Sequence, residues 1–265
     1  MKIGVVGCAG RMGMMIAREC LATNGCVLVG GSERAGSAAV GKDLGALVGG
    51  EPLGVVVTDD AAALFAAAQV VIDFTSPEAT ARHAALAAEH GAALVVGSTG
   101  LNADHLAALA AAGGKVAVVQ AANMSLGVNL LLGLVEQVAR TLDDGFDIEI
   151  VEMHHKHKVD APSGTALALG RAAATGRGVE LDQVANRVRD GLTGPRRRGD
   201  IGFATLRGGD VVGDHTVIFA GEGERIEITH KAGGRQIFAR GAVRAALWTA
   251  GRAPGLYGMR DVLGV

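Results

Sequence analysis

The chain has 265 residues, with 25 basic and 27 acidic side chains and a formal net charge of −2. Hydrophobic residues make up 49% and charged residues 20%, which allows one large packed domain or two modest ones and excludes a disordered chain. No chain-wide basic field exists to attract nucleic acid, and 41 glycines, about twice the usual share, point to tight turns and close backbone approaches.

Residues 1 to about 125 alternate short apolar runs with helical patterns. The runs are Ile3–Val6, Val27–Val29, Val55–Val57, Val70–Phe74, Leu94–Val96 and Val116–Val119. Runs of this kind are strands buried on both faces, which implies a parallel sheet. Ser76-Pro77-Glu78 reads as an N-cap, a first-turn proline and an acid at the positive helix end. Asn102 caps a helix that runs towards Ala112. Alternation of strand and helix makes this a doubly wound α/β domain.

The first strand is followed directly by Gly7-Cys8-Ala9-Gly10-Arg11-Met12-Gly13, which opens a helical pattern. Glycines there permit a tight turn and close backbone approach, and the helix N-terminus meets a pyrophosphate. The spacing, Gly-x-x-Gly-x-x-Gly, differs from the commoner Gly-x-Gly-x-x-Gly, so context carries the reading. That context is a second strand ending near Gly30 and an acid, Glu33, 20 residues beyond Gly13, placed to hold ribose hydroxyls. Arg34 beside it can pair with the 2′-phosphate of NADP, so NADH and NADPH are both expected cofactors. Gly97-Ser98-Thr99-Gly100 and Ala121-Ala122-Asn123-Met124 follow later strands. Both loops are placed to line the nicotinamide half of the ligand.

After Asn123 the pattern changes. A long apolar helix, about Leu126 to Leu142, precedes a strand at Ile148–Met153 and a helix near Thr165–Ala174. Strand-like runs follow at Ile201–Leu206, His215–Phe219 and Arg225–His230, and the last of these alternates polar and apolar as a strand with one exposed face does. No crossover helices separate them, so a second α+β domain with a mixed or antiparallel sheet is expected. The stretch Gln236 to Ala250 is again helical. The expected division is 1–125 plus 235–265 for the dinucleotide and 126–234 for the substrate. Arg196-Arg197-Arg198 lies in a Gly/Pro-rich stretch and reads as a solvated loop.

Glu152 to Thr165 holds three of the eight histidines and two lysines between a strand and a helix. A metal site, a solvated basic turn and an anion-binding active site all compete here. The lysines would repel a cation and no supporting Cys or carboxylate spacing is present, so no metal is expected. For an anionic substrate, Lys158 supplies charge, and Ser163-Gly164-Thr165 at a helix start supplies hydroxyls and N–H groups. A histidine is suited to move a proton near neutral pH. Hydride transfer to an unsaturated carbon leaves negative charge on its neighbour, which must then be protonated.

Cys8, Cys20 and Cys26 show no Cys-x-x-Cys spacing and favour a reducing compartment. No signal-peptide layout and no apolar stretch near the ~18 residues of a membrane span are present. A soluble, cytoplasmic protein without membrane contact is expected.

The chain resembles the 4-hydroxy-tetrahydrodipicolinate reductase (dihydrodipicolinate reductase) family over nearly its whole length. The resemblance rests on Gly7–Gly13, Glu33-Arg34, Asp73-Phe74-Thr75, Gly97–Gly100, Ala121–Ser125, the stretch from Ile201-Gly202-Phe203 through Gly213-Asp214-His215, and Gly258–Leu263. It is most specific at Glu152 to Ala166, which carries paired histidines, a lysine and Pro-Ser-Gly-Thr. It implies an NAD(P)H-dependent reductase of lysine and diaminopimelate synthesis. His154 would be proton donor and acceptor, and Lys158 a second donor or charge stabiliser. His155, Gly164 and Thr165 would grip the carboxylates of a small dicarboxylate substrate, and the assembly would be a homotetramer built through the second domain's sheets. Met124 stands where the family often carries phenylalanine. Two rivals differ in class. An acylating semialdehyde dehydrogenase needs a nucleophilic cysteine in its second domain, and a dinucleotide-binding redox sensor needs a docking or DNA-binding module; neither feature is found.

Overall fold

The computed structural model describes residues 1–265 and divides into two compact units, Met1–Leu126 with Gln236–Gly264, and Gly127–Arg235 with Val265. The first unit opens with β1 (Lys2–Val6), α1 (Arg11–Ala22), β2 (Val27–Ser32), α2 (Leu44–Leu47), β3 (Val57–Thr58) and α3 (Ala61–Ala67). It continues with β4 (Val70–Asp73), α4 (Pro77–His90), β5 (Ala93–Val96), α5 (Ala103–Gly113) and β6 (Ala117–Gln120). The second unit contains α6 (Leu126–Thr141, whose first residue falls in the first unit), β7 (Asp147–His154), α7 (Gly164–Arg177), α8 (Leu181–Val184) and β8 (Ala185–Asn186). β9 (Ile201–Arg207), β10 (Asp214–Ala220) and β11 (Arg225–Lys231) complete it. α9 (Gln236–Trp248), β12 (Gly255–Tyr257) and α10 (Met259–Leu263) then belong to the first unit.

The first sheet has the order β12-β6-β5-β4-β1-β2-β3, and every pairing is parallel. Chain order reverses at β1, where a doubly wound sheet opens a crevice beyond its carboxyl ends. Neighbouring residues of a strand face opposite sides. Val70 and Ile72 of β4 therefore join one core with Ile3, Ile16 and Ala242, while Val71 joins another with Phe65, Leu94 and Leu109. This two-sided burial is why the strands read as unbroken apolar runs.

The helix signals act as read. Ser76 accepts the Ala79 N–H and Pro77 begins α4, which ends at Gly91 in the left-handed conformation (φ +72°). Asn102 and His105 form a capping box at the start of α5. β3 is shorter than its apolar run. Asp43 accepts the N–H groups of Ala46, Leu53 and Gly54 and draws that region into turns, so Val56 only bridges Asp43. β12 has no long apolar run to announce it.

The second sheet is mixed, in the order β11-β10-β7-β9-β8. β10 runs antiparallel to β7 and β11, while β7–β9 and β9–β8 are parallel. One face packs Ile148, Ile150, Phe203, Val217 and Phe219 against Leu131, Val135 and Leu169. The expectation of one buried face on β11 is corrected: as the edge strand it leaves Ile226 39% exposed and Ile228 only partly covered. The Arg196–Arg198 run is a loop with Arg197 and Arg198 exposed, as expected, but Arg196 is drawn in against β7. Asp147 and Glu149 stand on one side of β7, two residues apart, and Arg196 forks onto both at 2.7 and 2.9 Å. Arg197 pairs with Asp200 and Arg198 with Asp144. No helix is long and apolar enough to cross a membrane.

Candidate active site

In the first unit, the loop after β1 is tied to the end of β2: the N–H groups of Gly7 and Cys8 donate to the Ser32 carbonyl at 2.8 and 3.2 Å. Gly7 takes φ +64°, a conformation that costs an L residue energy and glycine nothing. Gly10 precedes α1 in an extended conformation with no side-chain cap, so Arg11 and Met12 begin a helix whose positive end is bare backbone. A Cβ at Gly13 would collide with the Gly7 carbonyl and lie 2.7 Å from Cys8 Cα, so loop and helix approach as only glycine allows. Glu33, one residue past β2, accepts the Ala9 N–H at 2.8 Å, and Arg34 beside it is exposed. A cavity of about 700 Å³ is lined by Gly7, Glu33, Arg34, Thr75, Arg82 and His83, among others. A bare helix end, a closely approaching loop and an acid at the second strand are the groups that the pyrophosphate and ribose of a dinucleotide require.

Asp73, at the end of β4, organises the neighbouring loops and has no exposed surface. Its Oδ1 accepts the Thr75 N–H and hydroxyl at 2.8 and 2.6 Å and, more distantly, the Ser98 hydroxyl; Oδ2 pairs with His83 Nδ1 at 2.8 Å. Burial pushes its pKa up, but His83 and Thr75 outweigh burial and hold the carboxyl below its ordinary value. Gly97 donates to the Asp73 carbonyl and Ala121 to the Val96 carbonyl, which places Gly97-Ser98-Thr99 and Ala121-Ala122-Asn123 together at the carboxyl ends of β4, β5 and β6. Thr99 and Ala122 are exposed, whereas Met124 is buried in the core. The Cys8 thiol, pushed up to about 12 by burial and then by Glu33, is no nucleophile; burial does the same to Cys20.

In the second unit, His154 ends β7 and the chain turns at once. His155 donates to the Val211 carbonyl, Lys156 to Gly209, and Lys158 back to His155. Glu152 and His154 share a face of the strand, and His154 Nδ1 lies 2.6 Å from Glu152 Oε2. The same carboxylate takes both terminal nitrogens of Arg207, at 2.8 and 2.9 Å, and the Ser163 N–H at 3.0 Å. Burial raises the Glu152 pKa, but Arg207, His154 and Ser163 together bring it below the ordinary glutamate value. Lys158 Nζ pairs with Asp160 at 2.8 Å. The ring of His215 stands edge-on to His154, with centroids 5.1 Å apart. Its Nε2 meets the Ser163 hydroxyl at 2.9 Å, and burial followed by the His154 charge pushes its pKa down to about 4.

His154, His155, Lys158, Gly164 and Thr165 therefore border one short turn and the positive end of α7. Ser163 differs from expectation. It is buried, and its hydroxyl serves the Ala166 N–H and His215, so it caps the helix rather than facing outward. Open space lies at Gly164, where a Cβ would touch nothing within 4 Å. No group of three or more His, Cys, Asp or Glu side chains is arranged to hold a metal ion. Sequence reasoning gave no role to Glu152, Arg207, His215 or the Asp73–His83 pair. The i, i+2 spacing of Glu152 and His154 was a readable signal; the partners from β9, β10 and α4 had none.

Family models described as dihydrodipicolinate reductase, N-terminus, and dihydrodipicolinate reductase, C-terminus, match residues 1–124 and 127–263. The 4-hydroxy-tetrahydrodipicolinate reductase of Ruegeria pomeroyi is 56% identical over 263 residues, covering 99% of this chain and 98% of that protein. The protein of the same name from Rhodopseudomonas palustris is 57% identical over 265 residues, covering 100% and 98%. The solved structure of a dipicolinate-bound dihydrodipicolinate reductase from Paenisporosarcina sp. TG-14 is similar in fold, with TM-score 0.79 at 21% identity over 98% of both chains. With both halves matched and more than half of the residues shared along the full length, the chain belongs to the dihydrodipicolinate reductase family and is an oxidoreductase.

Proposed function

We propose that this protein reduces 4-hydroxy-tetrahydrodipicolinate to tetrahydrodipicolinate in lysine and diaminopimelate synthesis, in the cytoplasm, with NADH or NADPH. The observation that carries the reading is His154, held through Nδ1 by a buried carboxylate at the end of β7, with Lys158 in the loop that leads from it to the start of α7. A reduced nicotinamide bound in the first unit supplies the hydride. The loop Gly7-Cys8-Ala9-Gly10-Arg11-Met12 takes the pyrophosphate on backbone N–H groups, and Glu33 takes the ribose hydroxyls in place of the Ala9 N–H. Arg34 pairs with a 2′-phosphate when one is present. Gly97-Ser98-Thr99 and Ala121-Ala122-Asn123-Met124 border the nicotinamide.

Once the 4-hydroxyl has left as water to give the unsaturated dihydro form, the hydride adds to one carbon of that system. In the second unit His154 gives its proton to the carbon next to the one reduced, and Lys158 offsets the negative charge that develops. His155 and the Gly164 and Thr165 backbone at the start of α7 hold the carboxylates. Residues 127–235 thus bind the dicarboxylate. The open edge at β11 and the partly exposed outer face of the sheet support a homotetramer assembled through this unit. Three free thiols accord with a reducing cytoplasm.

The test couples the purified protein to the synthase that makes the hydroxylated substrate and follows NADH and NADPH oxidation separately. Oxidation that depends on synthase product is expected. None with either nucleotide, when both bind, would remove this substrate.

A further inference from the structure

We propose that Glu152, locked by Arg207, is a positioning residue that fixes His154 in its Nδ1–H tautomer and leaves Nε2 as the only nitrogen able to exchange a proton with substrate. The inference rests on the reading of His154 as the proton donor.

An ionised carboxylate only accepts hydrogen bonds. Glu152 is held in that form by four donors: the two Arg207 nitrogens, the Ser163 N–H and the His154 ring. At 2.6 Å from such an oxygen, Nδ1 must carry a hydrogen, and the hydrogen bond made by one ring nitrogen decides the state of the other. The locking is built from strand register. Parallel pairing of β7 with β9 sets His154 opposite Arg207, and the guanidinium reaches back across the pair to the carboxylate two residues earlier. Arg207 also donates to the Asp160 carbonyl at 2.6 Å, so one side chain braces both the carboxylate and the turn carrying Lys158.

The other side of the ring is kept clear by a different device. A Cβ on Gly213 would sit 2.9 Å from His154 Nε2 and 3.3 Å from Cδ2, so glycine leaves room at the nitrogen that works. Neutral imidazole in water prefers its hydrogen on Nε2, which would present a donor but no acceptor to the substrate side. The buried carboxylate reverses that preference, so that after each proton delivery it is Nε2 that carries the lone pair and takes up the next proton.

The experiment has two arms. In the first, histidine-specific ¹⁵N labelling and two-bond ¹H–¹⁵N correlation spectra identify the His154 ring by its disappearance in His154→Ala. The neutral ring is expected in the Nδ1–H form in the native protein, and an Nε2–H pattern overturns the proposal whether or not any Glu152 variant folds. In the second, Glu152→Gln is expected to lower kcat by about 10²- to 10⁴-fold with the KM for the nicotinamide nucleotide unchanged. Introduced into His154→Ala, the same substitution should cost nothing further, as expected of two residues acting as a unit. Native turnover in Glu152→Gln, or an equal further loss in the double variant, overturns the positioning role. Native turnover in His154→Ala would instead remove the proton-donor reading on which the proposal stands.

Discussion

Lowering the pH below 6.5 should destabilise the second unit through His215. The side chain is 4% exposed and is faced by Ser163 from the start of α7, by Glu152 and His154 from β7, by Lys158 from the turn and by His230 from β11. Burial and the neighbouring positive charge take its pKa from 6.5 to about 4. The unfolded chain therefore binds this proton first, so the stabilisation is fully present above about pH 6.5 and is lost as pH falls towards 4. At about 1.4 kcal/mol per pH unit the full effect is about 3 kcal/mol, and about 2 kcal/mol of it is gone by pH 5. Glu152 and Asp73, whose pKa values are lowered, contribute with the same sign but mainly below about pH 5, where unfolded carboxylates begin to take up protons. His215→Gln keeps a polar atom near the Ser163 hydroxyl and removes the titration. Urea unfolding at pH 7.5 and 5.0 should be followed by far-ultraviolet circular dichroism, because Trp248 and Tyr257, the only Trp and Tyr, report the first unit. The native protein should lose about 2 kcal/mol more than the variant between the two pH values. Parallel losses would refute the burial argument.

Three further outcomes are expected. His154→Ala should lower turnover by about 10²- to 10⁴-fold, while fluorescence titration shows nucleotide affinity unchanged; steady-state rates equal to the native enzyme would remove His154 from the chemistry. Arg34→Ala should weaken NADPH about ten- to hundredfold, the worth of a charge-assisted contact, and leave NADH alone, and equal losses in the two titrations would contradict the 2′-phosphate role. Gly13→Ala adds a Cβ against the Gly7 carbonyl and should cost about 1–3 kcal/mol of stability together with more than tenfold in nucleotide affinity; calorimetry and titration both matching native would show that the loop yields.

The first unit was the more legible part of the chain, for a physical reason. A parallel sheet covered on both faces demands unbroken runs such as Val70–Asp73, and its helices announce themselves by caps such as Ser76 and Asn102. The loop at Gly7–Gly13 and the acid at Glu33 follow from local rules on backbone approach and helix polarity. In the second unit strands were legible but exposure was not, because β11 lies at the edge of the sheet and Arg196 finds its carboxylates on a strand some 50 residues earlier.

The histidine turn shows the same boundary within a single site. Residue type and spacing alone select His154, Lys158 and the start of α7, since those properties are carried by neighbours in the chain. That Ser163 turns inward, that Arg207 from β9 and His215 from β10 close around Glu152 and His154, and that Gly213 leaves one ring nitrogen clear are decided by strand register. Register is a property of pairs of strands distant in sequence, selected by the whole buried face at once. No local pattern records which nitrogen of His154 carries its proton; the tertiary placement of a buried carboxylate and its arginine decides it.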